Sequence, residues 1–394
     1  MILRQAVILV GGLGSRLGNL TKNVPKPILK INKKRFLDII IKNYARYGIT
    51  KIYLLTSFKF KKFKKIYNNK TFNSTKIVCI NEGLPKGTGG ALINSIKRFD
   101  HYFILCNGDT FFDINYLDFF FNSNKTKAIN VAITNRNQNK RFSYVKLKSN
   151  LITDFNIKNG DFVNSGYYII NKKKLINKIK NIKKVSLEKD IFPTLIKKKQ
   201  ISFVKYKKEF IDIGVKKDLN KASKYLRSNL KKKVAILDRD GVINYDFGYV
   251  HKINKFKLKP NIINFIKFLN DKSYLVFVVT NQSGIGRGYY SEKDVKKLHN
   301  YLDYKLSKNG AHIDEYFISP YFKFSKSKKY RTGSKYRKPS IGFFNQIKKN
   351  YSIELKGSFM IGDQKTDHLF AKKSKIKYFD VNKIGSLLKL KSIV

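Results

Sequence analysis

The sequence predicts an α/β protein with two domains, and three observations support this prediction. The chain has 394 residues, a length that suits two domains of ordinary size. Short apolar runs alternate with amphipathic stretches along the whole chain, which is typical of a mainly parallel sheet with crossover helices. The alternation starts afresh after residue 233. We therefore expect one domain over 1–228 and a second over 229–394.

The first half alternates predicted strands with predicted helices. Runs rich in β-branched and aromatic residues predict strands over 6–10, 51–56, 76–80, 102–106 and 129–134. Helical spacing of apolar residues predicts helices over 38–47, 90–98 and 217–228. The basic run 230–233 follows the last of these helices, and we place the domain boundary there.

The second half repeats this alternation without being an internal repeat of the first. It has predicted strands over 234–238, 275–280, 316–318 and 358–361. Predicted helices cover 262–270 and 292–307. The lysine-rich stretch 323–338 is the least globular part, and we expect a loop there.

Composition excludes several classes of protein. Hydrophobic residues make up 42% of the chain, so it is not disordered despite 28% charged residues. The net charge of +57 raises the possibility of a nucleic-acid partner, which would show steeply salt-dependent binding. The excess is spread over both halves, however, and accompanies other residues with AT-rich codons. No recognisable nucleic-acid-binding motif occurs, so we interpret the charge as compositional background and expect no nucleic-acid partner.

Cysteine content and hydropathy indicate the cellular compartment in which we expect the protein. Cys79 and Cys106 are the only cysteines, which excludes a disulfide scaffold and a multi-cysteine zinc site. The apolar run 1–10 lacks the length and cleavage pattern of a signal peptide, and no run of about 18 apolar residues occurs. We expect a soluble cytoplasmic protein that has no membrane partner, with both cysteines in the core.

A glycine-rich loop follows the first predicted strand. Gly11, Gly12 and Gly14 would let backbone N–H groups approach a phosphate closely. Arg16 and Lys26 bring two cations to the same strand end. A triphosphate needs such neutralisation while its α-phosphorus is attacked.

Motifs of the first half, taken in order, resemble those of sugar-1-phosphate nucleotidyltransferases. The signature Gly-Gly-Leu-Gly-Ser-Arg-Leu is followed by Pro-Lys-Pro. Five further segments occur in the family's order, at 82–91, 107–109, 164–166, 186–190 and 210–214. This half looks most like the guanylyltransferases that act on D-glycero-D-manno-heptose 1-phosphate. The resemblance implies a Rossmann-like mixed sheet and two substrates, a sugar phosphate and a nucleoside triphosphate, with GTP favoured.

The resemblance also implies roles for single residues. Arg16 and Lys26 would act on the phosphates, while Asp109 and Asp212 would hold Mg²⁺, which stabilises charge on the leaving pyrophosphate. The implied nucleotide- and sugar-binding residues are Gly11, Gly12, Gly14, Glu82, Gly87, Thr88, Gly89, Asn164, Gly166 and Glu188. Two plainer interpretations stay open: Asp109 could simply end a strand in a turn, and Gly166 could be only a bulge.

A pair of aspartates ends the first strand of the second half. Asp238 and Asp240 are two residues apart, so in a strand their side chains point the same way. A close carboxylate pair is costly unless a cation or a shared proton relieves it. A Ca²⁺-loop-like turn or a helix cap would be the alternative. Hydroxyl, cationic and acidic residues follow at later strand ends, in the segments 280–283, 337–339 and 362–367. This order predicts a phosphoryl-transfer site.

The same segments resemble the haloacid dehalogenase-like phosphatases over residues 233–390. Asp-Arg-Asp-Gly-Val-Ile-Asn at 238–244 and Thr-Asn-Gln-Ser-Gly-Ile-Gly-Arg-Gly at 280–288 look like the D-glycero-D-manno-heptose 1,7-bisphosphate phosphatases. Histidinol phosphatases are the close alternative. The resemblance implies a Rossmannoid domain. The intervals between its motifs are too short for a large cap domain, so we expect an open pocket.

By this resemblance Asp238 is the nucleophile and Asp240 the general acid and base. Thr280 and Lys338 would stabilise the phosphoryl oxygens. Mg²⁺ would bind the carboxylates of Asp238 and Asp363 and the backbone carbonyl of Asp240. The implied sugar-side residues are Asp246, Tyr249, Asn281, Gln282, Ser283 and Arg337.

Two departures from the phosphatase pattern matter. Many relatives carry a Cys/His zinc loop where this chain has Ser319, Tyr321, Ser334 and Tyr336. These side chains do not suit structural zinc, so we predict no zinc and a loop held by packing alone. The Asp363 motif continues as Gln-Lys-Thr-Asp instead of placing Lys directly after Asp363, which weakens the exact substrate assignment.

Together the halves predict a bifunctional enzyme of nucleotide-activated heptose synthesis. The phosphatase would remove the 7-phosphate of a heptose bisphosphate, and the transferase would join the resulting 1-phosphate to a nucleotide. Two alternatives stay open: another sugar or histidinol-phosphate phosphatase fused to a hexose-1-phosphate nucleotidyltransferase, or a phosphatase with a non-catalytic sugar-binding transferase domain. The sequence leaves the nucleotide base, the anomer and the oligomeric state open.

Overall fold

The computed structural model describes residues 2–12, 14–72, 74–84, 86–135, 143–157, 159–178 and 185–392. The chain forms two compact units, Met1–Arg227 and Ser228–Val394. Each unit has its own sheet, and each is described by itself below.

The first unit alternates strands and helices along most of its length. Its strands are β1 (Gln5–Leu9), β2 (Lys30–Ile31), β3 (Lys34–Arg35), β4 (Lys51–Thr56), β5 (Thr71–Phe72), β6 (Thr75–Asn81), β7 (Tyr102–Asn107), β8 (Thr110–Phe112), β9 (Ile129–Asn135), β10 (Tyr144–Lys148), β11 (Leu151–Ile157), β12 (Phe162–Asn171), β13 (Ile201–Tyr206) and β14 (Phe210–Asp212). Its helices are α1 (Asn19–Lys22), α2 (Phe36–Arg46), α3 (Phe60–Tyr67), α4 (Gly87–Ser95), α5 (Tyr116–Asn122), α6 (Lys172–Ile176), α7 (Phe192–Lys197) and α8 (Lys216–Asn229), the last of which runs into the start of the second unit.

The large sheet of the first unit is mixed, with the order β10-β11-β13-β9-β12-β7-β1-β4-β6-β5. β1 lies near its middle and pairs in parallel with β4 on one side and β7 on the other. The chain goes from β1 to β4 and β6, and only then crosses to β7. In open α/β sheets, ligands bind at the carboxyl ends of the strands where the order reverses in this way. The topology therefore places a crevice beyond the ends of β1 and β7.

The second unit has a smaller sheet in which all strands are parallel. Its strands are β15 (Lys232–Leu237), β16 (Leu275–Asn281), β17 (Glu315–Ser319), β18 (Ile353–Gly362) and β19 (Lys377–Asp380), in the order β17-β16-β15-β18-β19. Its helices are α9 (Ile262–Asp271), α10 (Ser283–Arg287), α11 (Glu292–Ser307), α12 (Gly342–Asn350), α13 (Lys365–Ser374) and α14 (Val381–Ile384). The order reverses between β15 and β18, which places the second crevice at their carboxyl ends.

Apolar side chains on both faces of the second sheet explain why its strands read as continuous hydrophobic runs. Ala235 and Leu237 face one core with α9 and α11, while Val234 and Ile236 face another with α12 and α13. A parallel sheet covered on both faces needs this pattern. No helix in the described ranges combines the length and the apolar character needed to span a membrane.

Most predicted elements agree with the structure, and the differences have physical reasons. The strand predicted over 51–56 and the helix predicted over 292–307 coincide with β4 and α11. The helix predicted over 90–98 begins earlier, at Gly87, and turns into a 3-10 helix over Ile96–Arg98. Glycine has a low helix propensity, so the glycines at this end did not indicate that the helix begins there. The short ladder between β8 and β14 was not predicted. Its two strands are far apart in the chain and too short to show an alternation of apolar and polar residues.

Candidate active sites

The crevice of the first unit is a cavity of about 540 Å³ at the carboxyl edge of its sheet. Many residues predicted to bind substrate or metal line it. These are Gly11, Gly12, Gly14, Arg16, Lys26, Glu82, Gly87, Thr88, Asp109, Glu188 and Asp212. The structure thus brings segments that are far apart in sequence to one place.

The glycine-rich loop leaves β1 and turns over the mouth of this cavity. Gly14 adopts a left-handed conformation with φ of 69°, and its carbonyl accepts a hydrogen bond from Leu17 N in a 3-10 turn that carries the exposed Arg16. Ser57 Oγ donates to Gly11 O at 2.8 Å, which ties the loop to the segment after β4. The described residues of this loop, Gly11, Gly12, Gly14 and Arg16 among them, line the cavity with backbone and one arginine.

Two aspartates and a lysine also line the cavity. Lys26 Nζ contacts Asp109 Oδ2 in an ion pair. Asp212 pairs with Thr110 across the ladder of β8 and β14, and Ile213 N donates to Asp109 O at 3.0 Å. Asp109 and Asp212 are thus brought to one end of a two-stranded ladder, and both line the cavity. Their oxygens are donors that suit Mg²⁺.

Glu82 lies just beyond β6 on the cavity wall. Its backbone N donates to Thr56 O at 2.8 Å, which fixes the residue at the sheet edge. Burial raises the pKa of the Glu82 carboxyl to about 7, and the charge of nearby Lys86 opposes this rise. A half-buried carboxyl of this kind can recognise a hydrogen-bond donor on a ligand.

The glycines at the start of α4 allow close contact with the segment before a π-helical turn, Leu187–Ile191. Gly87 has φ of 77°, and a Cβ there would lie 2.5 Å from Val185 O. Gly89 N donates to Val185 O at 2.9 Å. Thr88 Oγ1 accepts from Leu187 N, also at 2.9 Å. These contacts fix the backbone just before Glu188, which lines the same cavity as Gly87 and Thr88.

Glu188 belongs to a small buried polar cluster. Tyr168 OH donates to Glu188 Oε1 at 3.3 Å, and Asn164 Nδ2 lies 3.5 Å from the same oxygen. Burial raises the pKa of Glu188, an effect that the Tyr168 hydrogen bond opposes. Gly166, with φ of 76°, sits where the pairing of β12 with β9 shifts register between Asn164 and Tyr168. Gly166 therefore occupies a bulge, which was one of its two interpretations.

The second unit gathers three carboxylates at its switch point. Asp238 follows β15, and Asp363 and Asp367 follow β18, with one ligand atom of each within 4.8 Å of the others. Lys338 Nζ lies 2.8 Å from Asp238 Oδ2 and 2.6 Å from Asp367 Oδ1. Burial raises the pKa of Asp238, while Lys338 opposes the rise and Asp367 adds to it.

This carboxylate cluster fits a divalent metal ion. Asp363 Oδ1 is buried and has no hydrogen-bond partner within the described ranges. A Cβ on Gly241, where φ is 82°, would overlap the Asp363 carboxylate, so only glycine leaves room for this approach. An all-oxygen set with an unsatisfied buried oxygen suits Mg²⁺. The sequence analysis placed Asp367 in the segment 362–367 of the phosphoryl-transfer site but gave it no role, whereas the structure places it in the carboxylate cluster and in contact with Lys338.

Asp240 is not one of the three clustered carboxylates, and its side chain has its own hydrogen-bond partners. Its two oxygens accept hydrogen bonds from Arg239, Asn244 and Gln282. Gln282 is only 2% exposed, and its Nε2 also donates to Thr280 Oγ1 at 2.9 Å. Gln282 was predicted to bind substrate, and here its amide holds Asp240 and Thr280. Arg239 was not singled out from the sequence at all.

Asn281 and Ser283 flank that glutamine. Asn281 exchanges two hydrogen bonds with the backbone of Lys338, at 3.1 and 3.2 Å, and so fixes the lysine against the end of β16. Ser283 is the first residue of α10 and is partly exposed.

The residues predicted to contact sugar in the second unit lie on loops around its crevice. Tyr249 is 45% exposed and packs edge-on against Tyr289, with 4.8 Å between ring centroids. Asp246 is exposed and accepts from Gly248 N at 2.9 Å. Arg337 Nη1 donates to Tyr321 O at 3.2 Å, and burial together with nearby Arg287 lowers the pKa of Arg337.

The stretch 323–338 is a loop with two short 3-10 turns, Lys328–Tyr330 and Ser334–Tyr336. Packing alone does not hold it, contrary to our prediction. Arg331 donates to Ser325 O at 2.6 Å and to Lys326 O at 3.2 Å. Arg287 stacks on Phe322 with 3.7 Å between the guanidinium carbon and the ring centroid. Arginine donors thus satisfy the backbone carbonyls of this turn.

Together, the two sites indicate an enzyme that catalyses two different reactions of phosphoryl groups. A glycine turn with basic residues and two aspartates suits nucleotidyl transfer, whereas a buried carboxylate cluster with a lysine and a threonine suits phosphate-ester hydrolysis.

Comparison with known proteins agrees with this class. Residues 5–229 match the Nucleotidyl transferase family, and residues 233–382 match the family described as Polynucleotide kinase 3 phosphatase. The D-glycero-beta-D-manno-heptose-1,7-bisphosphate 7-phosphatase of Haemophilus ducreyi is 38% identical over 147 residues, which are 37% of this chain and 80% of that protein. The D-glycero-alpha-D-manno-heptose-1,7-bisphosphate 7-phosphatase of Photorhabdus laumondii is 39% identical over 137 residues, which are 35% of this chain and 75% of that protein.

A solved structure resembles the first unit. HddC from Yersinia pseudotuberculosis, in complex with GMP-PN, is 29% identical and has a TM-score of 0.50, covering 57% of this chain and 100% of that one. The chain therefore belongs to the Nucleotidyl transferase family through its first unit and to the heptose-bisphosphate 7-phosphatase family through its second. It is an enzyme that joins a nucleotidyltransferase domain to a phosphatase domain.

We predict that Thr88→Val weakens sugar-phosphate use by the first unit. The variant leaves the backbone N–H of Leu187 without its acceptor, at a cost of about 1–3 kcal/mol, and releases Glu188 from its position. Thr88→Ser keeps the hydroxyl and is the matched control. Steady-state kinetics should show a raised KM for the sugar phosphate in Thr88→Val alone. Equal KM values for the two variants would contradict this role.

We also predict that the loop over 323–338 folds without zinc. Its backbone carbonyls are held by Arg331, and Arg331→Met should increase cleavage of the loop in limited proteolysis. Lys326→Met, an exposed neighbour, is the control for a lost charge. Phosphatase activity and thermal unfolding of the wild type should not change after treatment with a zinc chelator in excess Mg²⁺. A fall in unfolding temperature that added zinc reverses would contradict the prediction.

Proposed function

We propose that this chain catalyses two consecutive steps in the synthesis of a nucleotide-activated heptose. The second unit would hydrolyse the 7-phosphate of D-glycero-D-manno-heptose 1,7-bisphosphate. The first would transfer a guanylyl group to the heptose 1-phosphate that remains. The observation that carries the proposal is that one chain holds two sets of side chains at the carboxyl ends of its two sheets, one suited to removing a phosphate and one suited to activating a sugar phosphate.

The phosphatase reaction follows from the order of side chains at the strand ends. A carboxylate oxygen of Asp238 attacks the phosphorus, the bond to the sugar oxygen breaks, and an aspartyl-phosphate forms. Asp240 gives a proton to the leaving oxygen and later accepts one from the water that releases phosphate. Thr280 and Lys338 hold the phosphoryl oxygens. Bound Mg²⁺ would supply positive charge that keeps Asp238 ionised and offsets charge on the phosphoryl group.

The transferase reaction uses charge neutralisation without a covalent intermediate. The 1-phosphate of the sugar attacks the α-phosphorus of the triphosphate, and the bond to pyrophosphate breaks. Arg16 and the backbone of Gly11 and Gly12 would hold phosphate oxygens. Asp109 and Asp212 would hold Mg²⁺ beside Lys26. Glu188 and Asn164, joined in one cluster, would accept and donate hydrogen bonds to sugar hydroxyls.

Guanine is favoured by the chemistry of Glu82. A carboxylate offers only acceptors, and guanine presents two adjacent donors, N1–H and the N2 amino group, on its Watson–Crick edge. Uracil and thymine present a single N–H between two carbonyl groups, which an amide side chain would suit better. The structure of HddC with GMP-PN, a guanine nucleotide, supports the same choice for this chain.

The second crevice has short elements around it, which favours an open pocket for a sugar bisphosphate. Between β15 and β16 the chain forms one 3-10 turn and α9, and between β16 and β17 it forms α10 and α11. Loop residues such as Asp246, Tyr249 and Arg337 would then select the sugar. The relatives include phosphatases named for the alpha and for the beta anomer, so either anomer is a substrate to test.

The proposal is tested by incubating the chain with heptose 1,7-bisphosphate of each anomer, GTP and Mg²⁺. We expect release of inorganic phosphate followed by GDP-heptose and pyrophosphate. Asp238→Asn should abolish phosphate release yet still convert supplied heptose 1-phosphate, because the units have separate sites. Asp109→Asn should do the reverse. Turnover of histidinol phosphate or of hexose 1-phosphates in preference would favour the alternative fusion. Phosphate release by the wild type with no nucleotide sugar formed, unchanged in Asp109→Asn, would indicate a non-catalytic first unit.

Nucleotide binding should depend on pH through Glu82. Its pKa of about 7 means that the acceptor carboxylate is present above pH 7 and lost below it. Affinity for GDP-mannose, whose diphosphate does not titrate near neutrality, should fall by up to about tenfold per pH unit below pH 7. Calorimetric titrations of the wild type and of the isosteric Glu82→Gln variant measure this. The variant should bind more weakly at pH 8 and show no such pH step; an unchanged pH step in the variant would contradict the role of Glu82.

A further inference from the structure

The second unit contains an arginine whose side chain is completely buried. Arg239 lies between Asp238 and Asp240, directly after β15, and is 0% exposed. Arginine is almost never fully buried unless its charge is paired. Its neighbours therefore indicate what it does.

The guanidinium of Arg239 is paired with the side chain of Asp240. Nε donates to Asp240 Oδ1 at 3.1 Å, and Nη2 donates to Oδ2 at 2.7 Å and to Oδ1 at 3.0 Å. A two-point contact between a planar guanidinium and a carboxylate fixes the carboxylate plane as well as its distance. The orientation of Asp240 is thus set by its preceding residue.

Two amides complete the contacts around this carboxylate. Asn244 Nδ2 donates to Asp240 Oδ1 at 2.9 Å, and Gln282 Nε2 donates to Oδ2 at 2.8 Å. Both oxygens are consequently held by three donor residues, two from the turn after β15 and one from the end of β16. Of these donors Arg239 alone contacts both oxygens, so it restricts rotation of the side chain most.

Arg239 also connects Asp240 to two other parts of the crevice. Its Nη2 donates to Val250 O at 2.6 Å, next to the loop that carries Tyr249, and to Gln282 Oε1 at 3.1 Å. Gln282 Oε1 also accepts from Tyr290 OH at 2.7 Å. One buried cation therefore joins the loop after the nucleophile, the end of β16 and the side chain of Asp240.

We propose that Arg239 is a positioning residue for phosphoryl transfer, which sets the orientation of Asp240 toward the leaving oxygen and the attacking water. The inference rests on the phosphatase activity proposed above. Arg239 is not a catalytic residue in this role, because its side chain is shielded from solvent and from any substrate in the crevice. Its removal should therefore slow the chemical steps and leave substrate binding nearly unchanged.

The test compares Arg239→Met, Arg239→Lys and wild type in the full chain with Mg²⁺, using heptose 1,7-bisphosphate and p-nitrophenyl phosphate. General acid–base catalysis contributes about 10²–10⁴-fold, so Arg239→Met should lower kcat on the sugar about 10²-fold with KM within about twofold. Arg239→Lys keeps the charge but not the two-point contact and should recover part of the loss.

The p-nitrophenyl substrate separates positioning from a general structural defect. Its phenolate leaves without much help from an acid, whereas hydrolysis of the aspartyl-phosphate still needs Asp240. Arg239→Met should therefore release about one p-nitrophenol per enzyme in a fast burst, followed by slow turnover. A lower kcat with a proportional loss of burst amplitude would mean fewer folded sites and would overturn the inference, as would an unchanged kcat.

Removing a buried charge can prevent folding, because the partner is left unpaired in the interior. Tyr290→Phe is the milder second variant, since it removes only the hydroxyl that orients Gln282. Tyr290→Phe should lower kcat about threefold to tenfold and still release about one p-nitrophenol per enzyme in the burst. A wild-type kcat in this variant would overturn the inference even if Arg239→Met does not fold. Absence of phosphate release by the wild type would instead refute the proposed function itself.

Discussion

Three carboxylates converge at the edge of the second sheet, and one lysine is too little positive charge to balance them. Buried like charges are stable only with compensating cations or bound protons. Lys338 contacts Asp238 and Asp367, while Asp363 keeps a buried oxygen without a hydrogen bond in the described part of the chain. The surrounding structure serves this arrangement: glycine at 241 admits the Asp363 carboxylate, and Asn281 fixes the lysine. An all-oxygen set of this kind suits a divalent ion, whose charge would balance these carboxylates.

The first unit solves a different problem, which is to bring distant segments into close contact around a highly charged ligand. It does so mainly with backbone. Gly87 and Gly89 pack against Val185, and Thr88 accepts from Leu187, so a loop and a π-helical turn form one surface. Charged side chains line the cavity as well, and two of them, Lys26 and Asp109, form an ion pair. Backbone N–H groups and a few cations are a common way to hold a polyphosphate.

Much of this arrangement could be predicted from the sequence, because carboxyl ends of parallel strands meet at one edge. That rule brings Asp238, Thr280 and Asp363 together from strand order alone. It says nothing about Arg239, since a residue between two acids gives no sign that it turns inward to hold one of them. The ladder of β8 and β14 was equally hard to predict, because its strands are short and lie far apart in the chain. Long-range pairing and buried polar networks are set by tertiary packing, which local patterns do not report.

The loop over 323–338 has a consequence for the chemistry that the second unit can tolerate. Its shape depends on guanidinium donors and stacked rings, and the chain's cysteines, Cys79 and Cys106, both lie in the first unit. A loop held by metal thiolates opens when peroxide or an alkylating reagent attacks the sulfur. Hydroxyl and guanidinium groups do not react in this way. Under oxidative stress, the phosphatase half would retain the shape of its crevice where a thiolate-dependent counterpart would lose it.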